Sequence, residues 1–192
     1  MNNNRSLGTS GLSKPDFDKF LQYSKLFFDR KQYSNSGPCV RLLEARLADF
    51  HNCSHCVSFS NGFWALVMTL ECLKLKQKKE VLLPSLTYRR LADLVSWTDL
   101  RPVFYDIDQH SLTATADLVE EKLSNETAIV LGVHPIINCY PASEVNMLCE
   151  KYKIPFVMDS VESAYEITAD GRIGSQAIAE IFSLHASKLI NG

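Results

Sequence analysis

The chain has 192 residues, of which 46% are hydrophobic and 22% are charged, and its formal net charge is −2. This length allows one sizeable α/β domain with a buried core. The small net charge gives no electrostatic reason to expect nucleic acid or an anionic membrane surface as a partner. The composition is therefore typical of a globular protein in which a local site must bind any anionic ligand.

The amino-terminal segment and the cysteines both favour a cytoplasmic location. Residues Met1 to Ser10 are polar and lack the apolar core of a signal peptide, and no apolar run is long enough to span a bilayer. The six cysteines are spread along the chain, which is typical of free thiols in a reducing compartment rather than of a disulfide framework. We therefore expect a cytoplasmic protein.

Two helices are predicted near the amino terminus, after a loose arm over residues 1–12. Ser13 is the expected cap of the first helix, Pro15 suits its first turn, and apolar residues follow at helical spacing. The second helix is predicted from about Pro38 to Phe50, with its apolar side chains on one face. We expect residues 13–192 to form a single domain.

From Cys56 onward, short apolar runs alternate with helical stretches. The predicted strands are Cys56–Phe59, Val81–Leu83, Pro102–Tyr105, Ala128–Leu131, Pro155–Met158 and Ile181–Leu184. The predicted helices between them are Gly62–Leu75, Tyr88–Trp97, Ala116–Leu123 and Glu144–Tyr152. This alternation predicts an α/β fold of three layers, α/β/α, with a mainly parallel sheet covered on both faces.

Ligands of such sheets bind at the carboxyl ends of the strands, where this sequence places several polar residues. The turn Ser60-Asn61-Gly62 opens a helix whose first N–H groups can bind phosphate, although many such turns serve backbone geometry alone. Asp159 ends an apolar run and is either a solvated strand-end residue, a helix cap or a functional group. Lys188 follows the last predicted strand, and by itself it would be a surface lysine.

One cluster of thiols and imidazoles offers a different chemistry. The segment His51-Asn52-Cys53-Ser54-His55-Cys56 contains two cysteines and two histidines, which are zinc-ligand types. No second Cys-x-x-Cys pair accompanies it. A turn before a strand, with Cys56 packed as a small hydrophobe, explains the segment more simply, so we expect no metal site.

Seven short motifs occur along the chain. In chain order they are Val40-x-x-Leu43-Glu44, Ser60-Asn61-Gly62-x-x-Ala65-Leu66, Pro84-Ser85-x-Thr87-Tyr88, Asp106-Ile107-Asp108, Asp159-Ser160-Val161-Glu162-Ser163, Gly171-Arg172-x-Gly174-Ser175 and Phe182-Ser183-x-His185-x-x-Lys188. Together they resemble the motifs of the sugar aminotransferase family often called DegT/DnrJ/EryC1/StrS. Each motif is weak alone, but their order makes coincidence an unsatisfactory explanation. The resemblance implies the large domain of a fold-type I enzyme dependent on pyridoxal 5'-phosphate.

The resemblance also assigns the two catalytic roles. Lys188 matches the family's lysine that forms a Schiff base with the cofactor and later carries the proton between substrate carbon and cofactor. Asp159 matches the carboxylate beside the pyridine nitrogen, where it keeps that nitrogen protonated so that the ring accepts electrons.

The remaining cofactor contacts are implied in the same way. Tyr88 matches an aromatic residue that stacks on the cofactor ring. The helix-start amides of Gly62 and Phe63, with the hydroxyl of Ser183, match the phosphate cradle. Glu162 falls where the family has Gln, His or Glu, although its charge would oppose that of the cofactor phenolate. Phe63 departs from the pattern, because the family has a threonine there whose hydroxyl helps to hold the phosphate.

Family members continue well beyond their lysine, whereas Lys188 lies close to the end of this chain at Gly192. The expected fold therefore lacks the carboxy-terminal small domain. A parallel sheet deprived of a later strand exposes an edge and apolar surface, so we expect a homodimer or a complementing carboxy-terminal chain.

The resemblance implies transfer of an amino group from an amino acid, with glutamate as the expected donor, to a nucleotide-linked keto-sugar. The alternative from another class is a truncated, inactive remnant or regulatory binding module that keeps the fold. A sugar dehydratase is a weaker alternative, because those relatives replace the lysine that Lys188 preserves. A redox or zinc protein built on Cys53 and Cys56 is weaker still.

Overall fold

In a computed structural model, the chain is described over residues 16–134, 139–185 and 188. It divides into two compact units, the first drawn from Met1–Ser58 with Leu184–Gly192 and the second from Phe59–Ser183. The predicted amino-terminal arm lies outside the described residues. No helix of the described segments combines the length and apolar character needed to cross a membrane.

The first unit contains helices α1 (Phe17–Arg30) and α2 (Pro38–Phe50). Helix α2 has the predicted bounds, with Pro38 in its first turn. Helix α1 begins later than predicted, because Asp16 rather than Ser13 is its N-cap and accepts a hydrogen bond from the Lys19 N–H at 3.0 Å. Ser13 and Pro15 themselves lie outside the described residues.

The predicted strand Cys56–Phe59 is not a strand in the structure. The hydroxyl and N–H of Ser58 instead donate hydrogen bonds to one carboxylate oxygen of Glu44, at 2.8 and 2.7 Å. The side chains of Val57 and Phe59 are exposed. Because these polar groups of Ser58 are satisfied by the side chain of Glu44, the segment is an irregular connection and does not pair with a strand.

The second unit is a five-stranded parallel sheet with helices on both faces, which confirms the predicted fold class. Its strands are β1 (Glu80–Pro84), β2 (Arg101–Tyr105), β3 (Thr127–Val133), β4 (Phe156–Asp159) and β7 (Ala179–Ile181), in the order β2-β1-β3-β4-β7. A two-stranded hairpin, β5 (Ile167–Thr168) with β6 (Gly171–Arg172), precedes β7 and was not predicted. After β1 the chain adds β2 on one side of β1 and then β3 on the other side. The strand order therefore reverses between β1 and β3, and ligands of such folds bind at this position.

Two apolar layers sandwich the sheet. Helices α3 (Gly62–Leu73) and α4 (Arg90–Val95) pack on one face, which we call the α3 face. Helices α5 (Ala116–Glu120) and α6 (Ser143–Tyr152) belong to the opposite face, called the α6 face. Strand β3 is buried through nearly its whole length, because a central parallel strand is covered on both sides.

Gly132 in β3 lies close to two side chains of the neighbouring strand β4, which belong to the core of the α6 face. A β-carbon there would lie 3.0 Å from ring atoms of Phe156 and even closer to the sulfur of Met158. We therefore expect Gly132→Ala to lower the free energy of unfolding by about 1–3 kcal/mol through overpacking, measured by urea denaturation. The same substitution should cost less in a Met158→Ala background, and equal costs in both backgrounds would contradict this packing explanation.

Candidate functional site

Asp159 is the last residue of β4 and lies at the carboxyl edge of the sheet on its α3 face. Side chains alternate along the strand, with Val157 in the α3-face core and Met158 in the α6-face core, so Asp159 shares the side of Val157. The residue is only 4% exposed, and its Oδ1 accepts a hydrogen bond from the Val161 N–H at 3.2 Å. A carboxylate is thus held inside the protein at the edge where ligands of parallel sheets bind.

Helix α3 begins next to the turn that follows this carboxylate. Asn61 is its N-cap, and the side-chain oxygen of Asn61 accepts a hydrogen bond from the Trp64 N–H at 3.0 Å. The N–H groups of Gly62 and Phe63 precede that bond, at positions that have no acceptor within any helix. A β-carbon at Gly62 would lie 3.9 Å from a γ-carbon of Val161, so this helix start and the turn after Asp159 are neighbours. The arrangement offers backbone N–H donors for an anion beside a buried carboxylate.

The side chain of Phe63 belongs to an aromatic cluster and not to the set of polar groups. Its ring contacts the rings of Trp64 and Trp97 edge to face, with centroid distances of 5.5 and 6.2 Å. The two tryptophan rings are also in edge contact with each other, at 5.5 Å. Phe63 therefore contributes a backbone N–H to the helix start and packing to the α3 face, but no hydroxyl.

The segment after β1 carries the third group of predicted residues. Tyr88 is 67% exposed, just before α4, so its ring is available to a ligand. The hydroxyl oxygen of Thr87 is buried and has no hydrogen-bond partner among the residues that the structure describes. A polar atom buried in this way is typical of a site completed by a ligand or water. The predicted helix Tyr88–Trp97 is shorter than expected, because α4 spans Arg90–Val95.

Ser183 and Glu162 lie in segments next to Asp159. In the pairing of β4 with β7, Asp159 is opposite Ile181, and the Ser160 N–H donates to the carbonyl of Ile181 at 2.9 Å. Ser183 follows two residues beyond that pair and is not in the strand, since β7 ends earlier than the predicted Ile181–Leu184. Glu162 is half-buried in the turn after Asp159.

Lys188 belongs to the first unit. Its N–H donates a hydrogen bond to the carbonyl of His185 at 2.8 Å, and its side chain is half-buried. Gly62, Phe63, Tyr88, Asp159, Glu162 and Ser183 are all residues of the second unit. Six of the seven predicted site residues thus belong to the second unit, and Lys188 belongs to the first.

A buried polar cluster on the α6 face was missed by the sequence analysis. The carboxylate of Glu180 in β7 is 1% exposed and accepts hydrogen bonds from the Ser160 hydroxyl at 2.8 Å and from the N–H groups of Gly174 and Gln176. The imidazole Nε2 of His134 lies 3.9 Å from the same carboxylate. Burial lowers the pKa of His134 to about 4, so His134 is neutral at pH 7.

The histidine and cysteine cluster before residue 57 has no metal-site geometry. The thiol of Cys53 donates to the carbonyl of His55 at 3.4 Å, and His51 is buried. Burial, followed by the charges of Cys53 and Glu44, raises the pKa of the Cys56 thiol. Within the described ranges, no group of three or more His, Cys, Asp or Glu side chains is arranged to hold a metal ion.

Comparison with known families and proteins gives consistent matches. A family model for the DegT/DnrJ/EryC1/StrS aminotransferase family matches residues 17–191. A dTDP-4-amino-4,6-dideoxy-D-glucose transaminase of Shigella dysenteriae is 26% identical over 177 residues, covering 92% of this chain and 48% of that protein. A UDP-2-acetamido-2-deoxy-3-oxo-D-glucuronate aminotransferase of Pseudomonas aeruginosa is 32% identical over 127 residues, covering 66% of this chain and 35% of that protein.

Solved structures match over nearly the whole chain. The structure of DesI in the presence of its TDP-sugar product superposes with a TM-score of 0.85 at 26% identity, covering 98% of this chain and 47% of DesI. A putative sugar aminotransferase of Streptococcus pneumoniae in its PLP form matches with a TM-score of 0.80 at 21% identity, which shows the shared fold. The chain therefore spans about half the length of these relatives or less.

Proposed function

Because the chain belongs to the DegT/DnrJ/EryC1/StrS aminotransferase family, we propose that it forms the cofactor-binding part of a pyridoxal-phosphate-dependent sugar aminotransferase. The observation that carries this proposal is the buried carboxylate of Asp159, followed by a turn that lies against the start of α3. Such a pair can bind a small ligand that is cationic at one end and phosphorylated at the other. Pyridoxal phosphate, with its protonated pyridine nitrogen, has this distribution of charge.

The residues of the second unit fit this cofactor. The N–H groups of Gly62 and Phe63 and the hydroxyl of Ser183 would hold its phosphate, since a helix start attracts anions. The Asp159 carboxylate would hold a proton on the pyridine nitrogen, and the exposed ring of Tyr88 would cover a face of the cofactor. When bound, the cofactor supplies an electron sink for a carbanion at the substrate carbon.

Lys188 is proposed to attach the cofactor covalently through its amine and to move the proton at the substrate carbon. The lysine side chain carries a primary amine, which reacts reversibly with an aldehyde. The same amine can act as a general base and take up the proton that leaves the substrate carbon. Glu162, in the turn after Asp159, is proposed to lie near the cofactor, where its carboxylate can accept a hydrogen bond.

The proposed substrates are an amino acid, with glutamate as the donor, and a nucleotide-linked keto-sugar. Two relatives carry dTDP- and UDP-sugar names, and a third, from Micromonospora echinospora, is an L-glutamine:2-deoxy-scyllo-inosose aminotransferase that is 28% identical over 158 residues. We also propose a cytoplasmic location and assembly as a homodimer or with a complementing carboxy-terminal chain.

A second candidate function is a binding module that takes up the cofactor without turnover. Phe63 favours it, because this residue brings aromatic packing where a hydroxyl would strengthen the phosphate cradle. Both candidates share one cofactor and one set of residues, so turnover alone separates them.

The experiment is to incubate the chain with pyridoxal phosphate, L-glutamate and a dTDP- or UDP-linked keto-sugar, and to detect the amino-sugar by mass spectrometry. Lys188→Ala is the matched control. An amino-sugar that forms with the wild-type chain and not with the variant supports the aminotransferase. Cofactor binding without product favours the binding module, and no cofactor binding contradicts both.

A further inference from the structure

The carboxylate of Glu180 is a buried charge on the face of the sheet opposite to Asp159. Within β7, Ile181 packs in the α3-face core, so the neighbouring Glu180 points to the α6 face. Its side chain is 1% exposed, although glutamate is seldom fully buried. A buried carboxylate is costly unless hydrogen bonds compensate for its lost hydration, so its partners indicate what it holds in place.

These partners come from two separate segments. One carboxylate oxygen, Oε1, accepts from the hydroxyl of Ser160, directly after Asp159, at 2.8 Å. The other, Oε2, accepts from the N–H groups of Gly174 and Gln176, in the loop that leads into β7. Glu180 therefore ties the loop to the residue that follows Asp159. The nearby His134 is neutral at pH 7, so hydrogen bonds rather than a histidine cation hold the carboxylate.

Ser160 transmits this restraint to Asp159. Its N–H donates to the carbonyl of Ile181 at 2.9 Å, and its carbonyl accepts from the Ser163 N–H at 3.0 Å. The next N–H, that of Val161, donates to Asp159 Oδ1 at 3.2 Å. Fixing Ser160 thus fixes the backbone whose N–H orients the Asp159 carboxylate.

We propose that Glu180, acting through Ser160, is a positioning residue for the Asp159 carboxylate. This inference rests on the proposed function, because it gives Asp159 its role beside the pyridine nitrogen. The donors to Glu180 named above are backbone N–H groups and a hydroxyl, which have no chemistry of their own in amino transfer. Their arrangement instead supports the site from the opposite face of the sheet.

The test measures hydrogen exchange of backbone amides in the full chain without cofactor. In Ser160→Ala, the Val161 amide should exchange about tenfold faster or more, the factor expected for losing one hydrogen bond to a charged acceptor. The amides of Gly174 and Gln176 should be unchanged, because Glu180 still accepts from them. In Glu180→Ala, all three amides should exchange faster.

Glu180→Gln is the conservative variant and should rescue the pattern. Its amide oxygen can accept from the loop N–H groups while its NH2 donates to the Ser160 hydroxyl oxygen, so Val161 should exchange at nearly the wild-type rate. Thr168→Val is a control, since it removes a hydroxyl that bonds the Gln176 side chain at 2.7 Å and the backbone of Asp170 and Gly171, without touching Ser160. It should leave Val161 unchanged. If Glu180→Ala fails to fold, Ser160→Ala and Glu180→Gln still decide the question.

A second readout uses the cofactor. With pyridoxal phosphate added, Ser160→Ala should shift the absorbance band of the bound cofactor in the same direction as Asp159→Asn does. Unchanged Val161 exchange in a folded Ser160→Ala variant would overturn the inference and leave Glu180 as a loop anchor only. Failure of the wild-type chain to bind cofactor would contradict the proposed function instead. The exchange result would not be affected, because it is measured without cofactor.

Discussion

Asp159→Asn is expected to weaken pyridoxal phosphate binding roughly 5- to 30-fold, which corresponds to about 1–2 kcal/mol, the difference between a charged and a neutral hydrogen bond. The side chain keeps its shape and its acceptor for the Val161 N–H, so the free energy of unfolding should change little. Amino transfer should fall further, by about 10²–10³, because a neutral amide does not hold the proton on the pyridine nitrogen. Titration with cofactor and single-turnover rates measure the two effects.

Asp93→Asn is the matched control for this substitution. Asp93 is an exposed aspartate of α4, and its change to asparagine removes the same charge from the same unit. Its affinity for cofactor should equal that of the wild-type chain. Equal losses in the two variants would mean that net charge, and not the position of Asp159, governs binding.

Phe63→Thr is expected to tighten cofactor binding relative to Phe63→Val, by about 1.5–3 kcal/mol or roughly 10- to 150-fold. The two replacements have nearly the same shape, and both lose the ring contacts with Trp64 and Trp97. They should therefore destabilise the fold to similar extents, and the comparison isolates one hydroxyl near the phosphate. Equilibrium titration of both variants with pyridoxal phosphate is the measurement.

Equal affinities of the threonine and valine variants would contradict the placement of the cofactor phosphate at the start of α3. Unfolding midpoints of the two variants serve as the control, since a difference in stability would confound the comparison. A threonine variant that binds tightly and also gains turnover would favour the enzyme over the binding module.

The fold was predictable where local pattern and tertiary burial agree. Strand β3 is a continuous apolar run, and α2 has a proline start with a periodic apolar face, so both were placed closely. The segment Cys56–Phe59 has the same apolar character as a strand, yet a strand also needs a neighbouring backbone. Here Ser58 donates hydrogen bonds to Glu44 instead, and a local sequence pattern does not predict a contact between residues so far apart in sequence.

The candidate site was predictable in the same measure. Asp159 and Gly62 lie at a strand end and a helix start, which periodicity locates, and the family resemblance then implied the roles that we propose for them. Glu180 was missed because the donors described above lie in other segments, and a glutamate between two apolar residues has the local pattern of a solvent-facing position in an edge strand. Its burial depends on the hairpin β5–β6 and the following loop, which the sequence pattern did not predict.

Covalent trapping at Lys188 tests the central claim most directly. The chain is incubated with pyridoxal phosphate and reduced with borohydride, and the modified lysine is identified by mass spectrometry after digestion, with Lys188→Ala as control. We predict stoichiometric modification of Lys188 and only trace modification of other lysines such as Lys122. An adduct distributed equally among lysines, or unchanged in Lys188→Ala, would contradict the assignment of this chain as the cofactor-binding part of an aminotransferase.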